Sequence, residues 1–198
     1  MILKKESLRF ASVYALFALM CFHAARLESR INEAGEVIDL KKQDRTKWYF
    51  PLIWLGNDAM NKAIEIGEEN NSYFYEAAIA AEHLKAKSFE STNWQKILYW
   101  YGRLYEMYRS PFALLNKSIV LIQLKSFKEA KAILDEIDAE SFENRKYLYY
   151  CTLAEYHSMR NEETQAVTYF DKAIELANNN TEKEYLIRKK KSATGIVS

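Results

Sequence analysis

Residues 43 to 48 read Gln-Asp-Arg-Thr-Lys-Trp, a dense polar string that ends on an indole and interrupts otherwise apolar helical pattern. Five of these side chains have chemistry to offer. Asp44 stands where a helix should begin, followed by Trp48, Leu52 and Leu55 at helical spacing, so its carboxylate is placed to cap free amides of the next turn. Gln43 and Arg45 suit bonds to backbone carbonyls of a neighbouring flap, and Trp48 suits a plug in the core beneath. Arginine and tryptophan are also the residue types that anchor protein interfaces, so Arg45 and Trp48 are equally candidates for receiving a peptide or another domain.

Other reactive residue types are poorly arranged for a site. His23, His83 and His157 are scattered, and neither a His-x-x-x-His nor a Glu-x-x-His pair occurs, so no metal or other cofactor is expected. Cys21 and Cys151 lie 130 positions apart within apolar pattern and read as small buried hydrophobes. Glu65, Glu68 and Glu69, with the pairs Asp135/Glu136 and Glu162/Glu163, fall on helix surfaces or starts, where carboxylates favour solvent and the amide end. There is no glycine-rich phosphate loop, and the expectation is a protein that is not an enzyme.

The elements that must position the string are nearly all helical, and the expected class is all-α, built of antiparallel helical hairpins. The spacing of Leu8, Ala15, Leu19, Phe22 and Arg26 predicts a central helix over about 6–28. A change to period two at Ile31, Val37 and Ile38 around Gly35 predicts a small β-hairpin or flap near residues 30–40. Beyond the string, a short turn over 44–49 precedes a helix from Pro51 to Gly67, proline being favoured at a helix start. Helices then follow over "SYFYEAAIAAEHLKAK" and over "NWQKILYWYGRLYEMYR", the second capped by Asn93.

Two hairpins follow, over 111–138 with Ser126 as a cap and over 144–178 divided at Asn161, and a basic helix closes the chain over 181–191. Leu153, Ala154, His157, Asn161, Ala166, Phe170 and Ala173 resemble the alternating small and large positions of a tetratricopeptide repeat. Ser118, Leu121, Ala130, Leu134 and Ile137 give the same pattern, with Ala130 and Ala166 standing 36 residues apart. Two repeats are few for a superhelix, since each leaves a face uncovered. The expected organisation is one helical domain, with residues 1–110 covering the repeat-like part at 111–191.

The order of "ALFALMCFHAAR", "GEVIDL", "KQDRTKWY", "AAIAAEH", "TNWQKILYWYGRLYEM" and "SPFALLNKSIVL" resembles the long C-terminal extension of one group of extracytoplasmic-function RNA polymerase sigma factors. In that group the corner motif is close to Gln-Asp-Arg-Ser-x-Trp, matched by Gln43, Asp44, Arg45, Thr46 and Trp48, with threonine in place of serine. Tyr49, Phe50 and Pro51 depart from the group, where a charged residue usually follows the tryptophan. The resemblance implies a regulatory protein-interaction module whose partners are the sigma regions of the same factor, RNA polymerase or a regulator. No helix-turn-helix is present, so the chain is expected to be a truncated or stand-alone extension that does not itself bind DNA.

Composition is compatible with this. The 198 residues are 49% hydrophobic with five glycines and two prolines, which suits a helical core with few tight turns. A net charge of +1 lacks the strongly basic footprint of a free-standing nucleic-acid binder. Lys4, Lys5 and the apolar run from Phe10 to Phe22 outline a signal peptide, but no small-x-small cleavage site follows, Met20 is too large for a lipoprotein site, and the run is shorter than the roughly 20 residues of a membrane span. A cytoplasmic protein without an anchor is expected. Two alternatives remain open: a general tetratricopeptide-type scaffold unrelated to transcription, and a small-molecule sensor with a pocket lined by Tyr99, Trp100, Tyr101 and Tyr105.

Overall fold

The computed structural model describes residues 10–67 and 71–195. The predicted start of the first helix at Glu6, with Lys4, Lys5 and Leu8, lies outside the described residues, as do Glu68 and Glu69. The fold is all-α. Ten α-helices occur among the described residues: α1 (Ala11–Ala24), α2 (Leu27–Arg30), α3 (Phe50–Ile66), α4 (Ser72–Lys85), α5 (Trp94–Tyr108), α6 (Pro111–Gln123), α7 (Phe127–Glu136), α8 (Lys146–Met159), α9 (Glu163–Leu176) and α10 (Asn180–Thr194). They fall into two compact units that meet in sequence between Tyr108 and Arg109.

In the first unit α1 packs against α3 and α4, and α4 against α5. The predicted first helix stops at Ala24, bends at Ala25 and Arg26, and resumes as the single turn α2. Close approach of α1 and α3 rests on Gly56, where a Cβ would lie 2.5 Å from the Phe22 ring. The α4 run from Ala77 to Ala81 is buried, its small side chains letting neighbouring backbones come near. Asn71 and Asn93 cap α4 and α5, each side-chain oxygen accepting an amide three residues on, from Phe74 at 2.8 Å and Lys96 at 3.0 Å.

The flap is present in reduced form. Among the described residues there is one antiparallel bridge, Ile31 with Val37, and no strand. Asn32 holds its turn, accepting from the Ala34 and Glu36 amides, and Gly35 supplies a φ of 78°. Pro51 sits in the first turn of α3, and Gly67 ends the helix in the left-handed region at φ 83°.

The second unit contains two helical hairpins, α6 with α7 and α8 with α9, and α10 packs on the last. Their turns close with the same pair of hydrogen bonds. Lys125 and Asn161, 36 residues apart, both take positive φ, at 58° and 60°. The next amides, of Ser126 and Glu162, donate to the carbonyls of Leu121 and His157 at 2.9 and 3.0 Å. Lys125 and Asn161 themselves donate to Ile122 and Ser158, both at 3.0 Å, which completes a Schellman closure in each hairpin. Ser118, Ala130, Leu134, Ala154, Ala166, Phe170 and Ala173 are fully buried between the paired helices. Ser126 stands at the N-cap of α7 as expected, but its side chain makes no cap bond.

Candidate functional site

The polar string folds as a corner between α2 and α3. Leu40–Lys42 and Arg45–Lys47 form two 3-10 turns, and Gln43 joins them in extended conformation. Asp44 caps the second of these turns rather than α3. Its Oδ1 accepts from the Thr46 amide at 2.9 Å and from the Thr46 hydroxyl at 2.6 Å, so the two residues close on each other. Those bonds hold the exposed Asp44 carboxyl below its usual range. The residue before α3, Tyr49, supplies no side-chain cap; its amide donates back to the Ala25 carbonyl at 2.9 Å, tying the start of α3 to the end of α1.

Trp48 is buried, as expected for a plug, and packs with Ala25 and Ile53 beside Leu40, Leu52 and Leu84. Its indole N–H donates to the Ser29 hydroxyl at 3.0 Å, and that hydroxyl donates to the Arg26 carbonyl at 2.8 Å. Gln43 faces two ways. Its carbonyl oxygen accepts from Arg26 Nε and Nη2 at 3.3 and 2.9 Å, and its amide donates to the Ile38 carbonyl at 3.1 Å, pinning the base of the flap. A guanidinium on one side and a carbonyl on the other allow only this orientation of the amide.

Arg45 departs from the sequence expectation. It bonds neither to the flap nor outward: its Nη1 donates to the carbonyls of His83 at 2.7 Å and Ala86 at 2.8 Å, at the end of α4. The last carbonyls of a helix have no intrahelical donor and carry the negative end of its dipole, so a cation there satisfies both. The same guanidinium lies 4.5 Å from the centre of the Trp48 ring, and that of Arg26 lies 5.7 Å away. Both cations thus lie within about 6 Å of the indole centre, a favourable distance for each. Arg45 Nη2 and His83 Nδ1 are both buried without a partner.

Electrostatics follow from this crowding. Burial, then Arg30 and Arg45, bring Arg26 down to about 10. Burial, then Arg26 and Arg45, push the His83 imidazole down to about 4, so it is neutral at pH 7. Burial also lowers Arg45, while Glu90 opposes. Sequence reasoning found the five residues of the string but missed Ser29 and His83 as their partners. A buried indole N–H requires an acceptor, which is the signal that points to a residue such as Ser29.

Elsewhere, the three histidines and two cysteines remain apart, and among the described residues no group of three or more His, Cys, Asp or Glu is placed to hold a metal. Tyr99, Trp100, Tyr101 and Tyr105 all lie on α5, the rings of Tyr99 and Trp100 meeting edge-on at 4.9 Å. Trp100 packs edge-on to Phe74 and tilts over Tyr75, both on α4, whereas Tyr99 is exposed. No helix among the described residues is long and apolar enough to cross a membrane.

Residues 2–64, which contain the whole corner, match a protein family described as "Family of unknown function (DUF6596)". An uncharacterized protein of Rhizobium meliloti (strain 1021) is 29% identical over 178 residues, covering 86% of this chain and 40% of the relative. The chain therefore spans less than half the length of that relative. No solved structure matches the chain.

Proposed function

We propose that the chain is a regulatory protein-interaction domain of a sigma factor involved in transcription initiation, acting in the cytoplasm by contact with sigma regions of the same factor, with RNA polymerase or with a regulator. The observation that carries this reading is the order of its sequence motifs, above all Gln43, Asp44, Arg45, Thr46 and Trp48 between the flap and α3. The network supports it: a string that pins flap, α1, α3 and the end of α4 together gives a rigid platform, as a binding surface requires. The greater length of the Rhizobium relative is compatible with a domain that works as one part of a larger protein.

The reading frame upstream of Met1 tests this directly. Coding sequence for two sigma regions is expected there, and the protein containing them should direct RNA polymerase to a promoter in a purified transcription assay. Absence of those regions, with no retention of RNA polymerase by the immobilised chain, overturns the proposal. That outcome would favour a general helical-hairpin scaffold, a reading supported by the repeated turns at Lys125 and Asn161.

A further inference from the structure

A solvent-open cleft of about 820 Å³ lies between the flap and the corner, with residues of α2 and the flap from Glu28 to Ile38 on one side and Lys42, Asp44 and Lys47 on the other. Charge is divided between the two sides. The flap side carries Glu28 and Glu33 and the corner side carries Lys42 and Lys47, all four exposed. Asp44, the acid on the corner side, already accepts the amide and the hydroxyl of Thr46. Among the described residues none of the four exposed charges forms an ion pair, although both signs border the same cleft. The two sides are braced: Asn32 holds the flap turn through the Ala34 and Glu36 amides, and Gln43 ties the corner to the Ile38 carbonyl.

We propose that this cleft binds an extended peptide segment carrying one basic and one acidic side chain, the basic one received by Glu28 and Glu33 and the acidic one by Lys42 and Lys47. A ligand of a single sign loses on one side what it gains on the other. A chain of phosphates is repelled by Glu28, Glu33 and Asp44, and an apolar ligand strips water from four charges while offering them no partner. Only a ligand of both signs suits both sides.

Shape separates a peptide from a small zwitterion. Pockets for small molecules bury about 70–90% of the ligand surface, which an open cleft cannot do. The space also stands near the top of the ~300–1,000 Å³ range of such pockets, so a free amino acid fills only a fraction of it. An extended chain advances about 3.3 Å per residue and its side chains alternate in direction. A basic and an acidic residue at odd separation therefore point to opposite sides of the cleft, and at even separation to the same side. Exposed pairs contribute little each, so binding is weak, with Kd on the order of 10–100 μM at low salt. The site does not depend on any role in transcription, and its failure would leave that role standing.

Fluorescence anisotropy of the full chain with labelled alanine and serine peptides of roughly six residues, each carrying one lysine and one glutamate, tests this. Peptides with adjacent charges, or with charges separated by two other residues, should bind at low ionic strength. Those with a single residue between the charges should bind at least about tenfold more weakly, as should peptides with two lysines or two glutamates. Raising the salt to physiological strength should weaken binding, because exposed pairs are screened. Lys42→Ala with Lys47→Ala should cost at least about tenfold in affinity, and so should Glu28→Gln with Glu33→Gln, each with an unchanged thermal melt. Should a double variant melt early, the single changes Lys47→Ala and Glu33→Gln should still weaken binding in the same direction. Lys128→Ala, on α7, should leave affinity unchanged. The proposal is overturned by no saturable binding up to about 1 mM, by equal affinity for odd and even spacings or for single-sign peptides, or by affinity indifferent to both double variants. Equal affinity for free lysine or glutamate, each carrying both signs, also overturns it and makes the cleft a small-molecule site.

Discussion

Trp48 draws on several segments at once: the guanidinium groups of Arg26 and Arg45 lie 5.7 and 4.5 Å from its ring centre, its N–H donates to Ser29 on α2, and it packs with Ile53 of α3. Removing it leaves a cavity and takes from the Ser29 hydroxyl the N–H it accepts, so Trp48→Ala should cost roughly 3–5 kcal/mol in urea melts. Arg45→Ala should cost about 2–3 kcal/mol, since it leaves two carbonyls of α4 without their charged donor. Asp44→Ala should cost least, because its cap closes an exposed turn. A Trp48→Ala protein as stable as the parent would mean that the ring is not the plug described. His83, 38 residues beyond Arg45, adds a pH dependence. The folded protein takes up this proton only near pH 4, the unfolded chain near 6.5, so the contribution of neutral His83 is full above pH 6.5 and is lost as pH falls from 6.5 to 4. A displacement of that size corresponds to at most about 3 kcal/mol. His83→Gln should flatten the stability profile across that window; a slope equal to the parent's would assign it to other groups such as His23, which is lowered in the same direction.

Element by element, what was legible in the sequence was what is local. The cap at Asp44, the helix start at Pro51 and the stop at Gly67 depend on neighbours within a few residues, and each stands within a residue or two of its expected place. The partners of Arg45 were not legible, because the carbonyls it binds lie 38 and 41 residues further on and only the packing of α4 on α1 brings them near. The flap was legible as a change of period but not as a single bridge, since pairing length depends on what the edges meet. The repeat was legible in its small residues and not in its turns: alanine spacing predicts helix contact, whereas lysine at position 125 gives no sign of a left-handed backbone. That conformation costs a side-chain-bearing residue about 1–2 kcal/mol, and less for asparagine, which tolerates it. Lys125→Gly should therefore stabilise the second unit by about 0.5–1 kcal/mol, and Asn161→Gly by less. Parallel denaturant melts of the two variants check this, with a loss of stability in Lys125→Gly being the contrary result.

At the scale of the whole molecule, charge decides which class of partner the chain can hold. The net charge is +1, and the basic end over Arg188 to Lys191 is the segment best suited by sequence to phosphate contact. Its side chains are already engaged with the protein. Lys190 pairs with Asp171 at 2.7 Å, Lys189 pairs with Glu155 and lies 5.5 Å from the Tyr185 ring, and Leu186 anchors the helix in the core of the second unit. A phosphate approaching α10 must compete with these carboxylates, and each contact it gains adds only about one unit to the salt dependence of binding. Mixing the purified chain with duplex DNA should therefore give, at most, a weak shift at low salt that disappears at physiological ionic strength and is indifferent to sequence. Lys189→Ala with Lys190→Ala should abolish even that residue of binding. A shift that survives physiological salt and distinguishes one promoter from another would mean that this chain reads DNA itself, and an interaction domain acting only through other proteins would then be the wrong description of it.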